Sequence, residues 1–151
     1  MIQFFVPGIP APKGSARAFY IKKLGRSVIT NANAKTKPWE ATIRAEASGH
    51  GCKPDFVGEV HVEAIFHFTR PKGHYGKRGL RDSAPAANTK KPDIDKLART
   101  LLDALTGVAF IDDAQVTQLV VSKRYVTAGG QPGVTVTIHG TDAREGVVDV
   151  G

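Results

Sequence analysis

The sequence is poor in cysteine and contains no long apolar run. Its only cysteine, Cys52, excludes an intrachain disulfide and is typical of a protein from a reducing compartment. No stretch approaches the roughly 18 apolar residues of a membrane-spanning helix. The first residues lack the basic start of a secretion signal. We therefore expect a soluble, cytoplasmic protein with no membrane partner.

Acidic residues are also scarce. The 151-residue chain has 14 of them against 21 lysines and arginines, which gives a net charge of +7. A small protein this basic usually meets a polyanion such as DNA, RNA or a membrane surface, although a merely soluble basic domain is the plain alternative. The length fits one domain, which we assign to residues 1–140, with 141–151 as a flexible tail.

Hydrophobic periodicity predicts an α/β fold of the α+β type, in which a small mixed sheet of about four strands packs with two helices. One helix is expected from Thr36 to Gly49 or Gly51 and another from about Asp93 to Leu105. A hairpin with a basic tip is expected within 19–30. Other strands are predicted at 2–6, 60–68, 116–126 and 134–138, the last two as an antiparallel hairpin.

Periodicity disappears between residues 69 and 91, where seven lysines and arginines accompany a single acid, Asp82. Loops of this length inside a compact domain are usually functional or disordered. The charge favours contact with backbone phosphates, and a solvated loop is the alternative. The predicted nucleic-acid contacts of this loop, the proline-glycine loop before it and the second helix are Lys13, Arg17, Lys72, Lys77, Arg78, Arg81, Lys90, Lys91 and Lys96.

Two tight pairs of aspartates stand out in this basic chain: Asp93 with Asp95, and Asp112 with Asp113. Crowded carboxylates repel one another, so the pattern indicates a cation between them. At the entrance of the second helix, free backbone N–H groups and the positive dipole end would keep the first pair ionised. Hard oxygen ligands favour Mg²⁺. The candidate ligands are Asp93, Asp95 and Asp113, with Asp112 as a spare.

The residues alone leave the geometry of this group open. Asp113 could return beside the helix start, or it could lie at the far helix end, roughly 18 Å away by helix rise. Asp93 could be a plain N-cap, and the second pair could be a turn. Arg99 could pair with Asp95 at i,i+4 spacing or reach a phosphate.

The segments 91–97 (KPDIDKL), 102–105 (LDAL) and 111–116 (IDDAQV) together resemble the RusA family of Holliday junction resolvases. The likeness is close over 90–125 and extends loosely to the Pro-Gly-x-Pro-x-Pro-Lys-Gly loop near the N-terminus. It implies that Asp93, Asp95 and Asp113 come together as magnesium-binding catalytic carboxylates. It also implies a homodimer that cuts four-way DNA junctions symmetrically.

Two positions depart from the family pattern. Lys96 stands where the family usually has asparagine, and Arg99 where it usually has a catalytic lysine. Arginine keeps the positive charge but is a planar fork and a poor proton donor. We therefore expect Arg99 to stabilise the transition state without donating a proton.

These patterns together predict a Mg²⁺-dependent endonuclease that resolves four-way DNA junctions by phosphodiester hydrolysis. One rival is a transferase of the Asp-x-Asp type, which would need a nucleotide-binding domain for which 151 residues leave little room. The other rival is a non-catalytic basic module that binds nucleic acid, in which the aspartates are only caps and turns.

Overall fold

The computed structural model of the chain describes residues 1–14, 16–31 and 33–141, with the backbone alone at 16–21 and 27–31. The Arg17 side chain, a predicted DNA contact, and the predicted tail from 142 onward lie outside this described part. The strands are β1 (Ile2–Pro7), β2 (Ala16–Ile21), β3 (Arg26–Asn31), β4 (Val60–Phe68), β5 (Tyr75–Gly76), β6 (Gly79–Leu80), β7 (Val116–Tyr125) and β8 (Gly133–Gly140). The helices are α1 (Thr36–Gly49) and α2 (Ile94–Leu105).

A four-stranded mixed sheet in the order β1-β8-β4-β7 forms the centre of the molecule. β8 runs antiparallel to both β1 and β4, whereas β4 and β7 are parallel. The predicted mixed sheet and both predicted helices are thus confirmed. The predicted basic-tipped hairpin is confirmed as β2 and β3, which pair antiparallel.

The predicted hairpin between the last two strands is wrong, because β4 lies between β7 and β8. The apolar side chains of β4 alternate as the sequence indicated, and Val60, Val62 and Phe66 are fully buried. β4 pairs with β8 on one side and with β7 on the other. The linker of seven residues, 126–132, is longer than most hairpin loops and crosses over the end of this central strand.

The core lies on one face of the sheet, under the two helices. α1 contributes Trp39, Ile43 and Ala47 at helical spacing. α2 contributes an apolar stripe that includes the fully buried Leu97 and Leu101. Within the described residues, neither helix is long and apolar enough to cross a membrane.

The parallel pair places α2 relative to the sheet. Because α2 joins β4 to its parallel neighbour β7, it starts at the carboxyl end of β4 and finishes near the first residue of β7. Lys123 of β7 confirms that α2 starts at this end of the sheet. It pairs with Phe66 late in β4, and its amine donates to the carbonyl oxygen of Pro92, just before α2, at 2.9 Å. The two ends of α2 therefore lie at opposite ends of the parallel strands.

Candidate active site

Asp93 and Asp95 occupy the entrance of α2, as the sequence predicted. Asp93 is the N-cap residue by backbone position, but its side chain makes no capping hydrogen bond. Its carboxylate instead lies 3.0 Å from the amine of Lys91 and 3.9 Å from that of Lys96. The N-cap alternative therefore does not account for the carboxylate, which faces cations and solvent.

Nearby lysines keep Asp93 ionised. The hydrogen bond from Lys91 lowers the pKa of Asp93 most, and the charges of Lys91, Lys96 and Lys123 lower it further, against a smaller opposing effect of burial. The carboxylate thus holds its negative charge well below neutral pH. Asp95 lies in the first turn of α2 and is exposed.

Lys123 positions the segment that leads into this site, and sequence reasoning missed it. Its amine donates to the carbonyl oxygens of Lys90 and Pro92, which fixes the backbone immediately before Asp93. The Lys91–Pro92 peptide bond in this segment is cis. The available signal was a lysine at the alternating position that Leu119 and Val121 also occupy in β7.

Arg99 lies one turn after Asp95 on α2, and both side chains are exposed. Among the described residues there is no ion pair between the two. Of the two alternatives for Arg99, the structure therefore leaves the guanidinium open to a phosphate instead of engaged with the neighbouring carboxylate.

The second aspartate pair is a turn in which the two residues differ in role. Asp112 caps a short 3₁₀ helix, Asp113–Gln115, and accepts a hydrogen bond from the backbone of Ala114 at 2.9 Å. The Gln115 side chain accepts from the backbone N–H of Asp112 and donates to the carbonyl oxygen of Phe56 at 2.8 Å. Asp112 is thus structural, whereas Asp113 is exposed beside it.

Negative charge accumulates around Asp113. Its pKa is raised first by a hydrogen bond to the Asp112 side chain, then by burial and by the charges of Asp112 and Asp103. Asp103 is on α2 and is bound by Lys13, whose amine lies 2.9 Å from its carboxylate and 3.4 Å from that of Glu40. Lys13, a predicted DNA contact, therefore joins the N-terminal loop to both helices.

The two aspartate pairs are separated within one chain. They flank the 12-residue helix α2, whose length is about 18 Å by helix rise. In the part of the chain that the structure describes, no three histidine, cysteine, aspartate or glutamate side chains are grouped to hold a metal. The structure brings Asp93 and Asp95 to one place and leaves Asp113 at the far helix end.

The basic segment 69–91 is more ordered than a solvated loop would be. Arg70 stacks on the ring of Tyr125 at 4.5 Å and donates to the carbonyl oxygen of Pro85 at 2.7 Å. The short hairpin of β5 and β6 projects from it, and Arg81 bonds back to the carbonyl oxygen of Tyr75. The predicted DNA contacts Lys72, Lys77, Arg78, Arg81, Lys90 and Lys91 are all exposed along this segment.

Comparison with known proteins finds a family whose match covers both aspartate pairs and the basic segment. The family described as Endodeoxyribonuclease RusA matches residues 8–139, which include both aspartate pairs and the basic segment. A protein of Bacillus subtilis (strain 168), YqaN, is 29% identical over 145 residues, which cover 94% of this chain and 98% of that protein. YqaN is itself described as uncharacterized.

Proposed function

The chain belongs to the RusA family of endodeoxyribonucleases, and we propose on that basis that it resolves four-way DNA junctions as a Mg²⁺-dependent endonuclease. The observation that carries the proposal is the entrance of α2. There Asp93 and Asp95 face solvent on a strongly basic surface, and lysines hold the first of them ionised. Ionised carboxylates within reach of DNA-binding cations are what metal-assisted phosphodiester hydrolysis requires.

The donors at this entrance suit magnesium. Mg²⁺ is usually bound in proteins by one or two carboxylates, several waters and the oxygens of a substrate phosphate. Asp93 and Asp95 supply two carboxylates, and the amines of Lys91 and Lys96 now neutralise the first. When bound, Mg²⁺ would supply an acidified water and neutralise charge at the scissile phosphate.

The side chains around the carboxylates have separate tasks. Arg99 would donate to the phosphate oxygens that gain charge during hydrolysis, and its exposure leaves these donors available. When a DNA strand binds, the amines of Lys91 and Lys96 would leave the Asp93 carboxylate and contact phosphates of the DNA backbone. Because an arginine side chain is a poor proton donor, the leaving oxygen would take its proton from water.

We further propose that the protein acts as a homodimer. β7 is an edge strand of the sheet and bears the exposed Leu119 and Val120, with the exposed Ile111 shortly before it. An apolar sheet edge is prone to pair with another strand. Two chains that paired antiparallel through β7 would be related by a two-fold axis, which matches the two-fold symmetry of a four-way junction.

The dimer would also complete the metal site. In an antiparallel pair, the start of one α2 comes to the same side as the end of the other. Asp93 and Asp95 of one protomer would then meet Asp113 of the partner subunit. The charge that raises the pKa of Asp113 would be relieved by a cation held between the subunits.

The basic segment 69–91 and the loop at Lys13 would bind the arms of the junction through backbone phosphates. Counterion release from these contacts makes the affinity fall steeply with salt. The single thiol, Cys52, is buried and stays reduced in a cytoplasm, which is the compartment we propose.

The test is cleavage of a synthetic four-way junction beside a linear duplex and a flap of the same sequence, with Mg²⁺ and with EDTA. We expect Mg²⁺-dependent, paired nicks in the junction and far slower cleavage of the other two. Equal cleavage of all three substrates would contradict junction resolution. Tight binding without any cleavage would favour the non-catalytic module.

A further inference from the structure

A cleft of about 650 Å³ opens directly beside Asp93. It lies between the loop at Pro12 and Lys13, the residues that precede α1, and the first residues of α2. Its volume falls in the range of small-ligand sites, about 300 to 1,000 Å³. A phosphate group bound on a flat basic surface would not need such a recess.

Four lysines line the cleft: Lys13, Lys35, Lys91 and Lys96. Among the described residues that line the cleft, Asp93 is the one acid, so lysines outnumber acids there by four to one. The Lys13 amine is engaged by Asp103 and Glu40, and the amines of Lys91 and Lys96 lie beside Asp93. Among the described residues Lys35 makes no ion pair, so its amine supplies the charge that a ligand would meet first. A ligand for this space is therefore an anion.

Both helices also begin at the cleft. Lys35 immediately precedes α1 and Asp93 immediately precedes α2, and neither N-cap residue makes a side-chain capping hydrogen bond. α1 has no acidic residue in its first turn. The positive ends of two helix dipoles thus add to the charge of the lysines.

Apart from Asn33 and Gly14, the remaining residues of the cleft wall are apolar. Pro12, Ala34 and Pro92 contribute surfaces without charged groups, and they face the same space as the lysines. A planar base can lie against such a surface while its phosphate meets the amines. The combination fits a nucleotide better than an isolated phosphate or an apolar ligand.

We propose that this cleft receives one nucleotide of the DNA strand that passes Asp93, turned out of the base stack. Its phosphate contacts Lys35 and the neighbouring lysines, and its base lies against Pro12, Ala34 and Pro92. The inference rests on the proposed function, because the strand is brought there by the nuclease site. The base pairs at a branch point have no continuous helix on one side, and the extrusion of one nucleotide there costs about a few kcal/mol of unpairing and unstacking.

The experiment uses 2-aminopurine, a base whose fluorescence rises when it leaves the stack. It is placed in turn at each position around the branch point of a four-way junction. The Asp95→Asn protein is used so that the DNA stays uncut. Because the dimer has two clefts, we expect a rise at one position on each of two strands and none at positions one helical turn away. No rise at any position, with the junction bound, would overturn the inference.

Substitutions then locate the nucleotide. Lys35→Ala should weaken junction binding about tenfold for each copy, as expected for a charge-assisted hydrogen bond, and therefore about a hundredfold for the dimer. It should also reduce the salt slope by about 1.4, the value for one single-strand phosphate at each of the two copies. The control is Lys37→Ala, which removes the same charge from the first turn of α1 but does not line the cleft. Equal effects of the two would contradict a contact at Lys35.

A third variant separates shape from charge. Ala34→Phe fills the cleft without changing the net charge, so it should abolish the fluorescence rise and leave the salt slope unchanged. A rise of unchanged size in this variant would place the extruded base elsewhere and overturn the inference. If wild-type protein gives the fluorescence rise but never cuts the junction, the nucleotide-binding role of the cleft stands and the proposed nuclease activity is refuted.

Discussion

Mixed dimers offer a sharp test of how the two aspartate pairs cooperate. If Asp95 of one protomer works with Asp113 of the partner subunit, the variants Asp95→Asn and Asp113→Asn should each be inactive alone. In a dimer that contains one of each, both substitutions fall in the same site. The other site then has every carboxylate intact, and activity returns on mixing.

The magnitude follows from the geometry. The pairs flank the 12-residue helix α2, about 18 Å long, so one chain does not bring them together. Random exchange between equal amounts of the two variants makes about half of the dimers mixed, and each has one working site of two. We therefore expect about a quarter of the wild-type number of sites in a two-fold dimer. A site built within one chain predicts no recovery at all.

The assay measures nicks in a junction with one labelled strand, after the two variants have been unfolded, mixed and refolded together. Mass spectrometry of the intact dimers gives the fraction of mixed species. The matched control mixes Asp95→Asn with Asp93→Asn, which damages both sites of the mixed dimer and should stay inactive. Mixed dimers of the first pair that nick no faster than the separate variants would refute the shared site.

Three further outcomes test the DNA surface, the core and the sheet. Replacing Lys77 and Arg78 by alanine removes four cations from the dimer and should reduce the salt slope of junction binding by about 3.6 if each contacts a duplex phosphate. An unchanged slope would show that the β5–β6 hairpin does not contact the DNA. Leu101→Ala empties a fully buried position and should cost about 2 to 5 kcal/mol in urea unfolding. A loss below 1 kcal/mol would show that α2 is less tightly packed than described. Burial first, and then the charge of Arg124, lower the pKa of His67 below its ordinary value. The unfolded chain therefore binds this proton more readily, so stability should fall as pH drops below the ordinary histidine value, and His67→Gln should make that fall shallower. An identical pH dependence of the urea midpoint in the variant would exclude His67 as a cause.

Much of the fold was predictable because local patterns determine it. The stripe on α2 and the alternation of β4 follow from which side chains can be buried on one face. The wrong element was the hairpin of β7 and β8. Strand pairing across the sheet depends on the crossover that α2 makes, and nothing local in either strand reports that β4 lies between them.

Part of the candidate site was likewise predictable from local sequence, and part depended on contacts between distant segments. The placement of Asp93 and Asp95 was predictable, since both belong to a helix entrance that the sequence indicates clearly. The distance to Asp113 was not, because it depends on which end of α2 the next strand meets. Sequence reasoning missed Lys35 and Lys123 for a related reason: Lys35 lines a cleft with residues 91–96, and Lys123 donates to the carbonyl oxygen of Pro92, and both neighbours are distant in sequence.

The most direct test of the nuclease account measures junction binding and junction cleavage side by side for wild-type protein and Asp95→Asn. The Asp95 side chain is exposed on the first turn of α2, so its amide should leave the fold intact. We predict that wild-type protein nicks the junction when Mg²⁺ is added. The variant should bind at least as tightly, since one negative charge near the DNA is gone, and should not cut. Cleavage by the variant at the wild-type rate, or a junction that wild-type protein binds but leaves whole in Mg²⁺, would contradict the account.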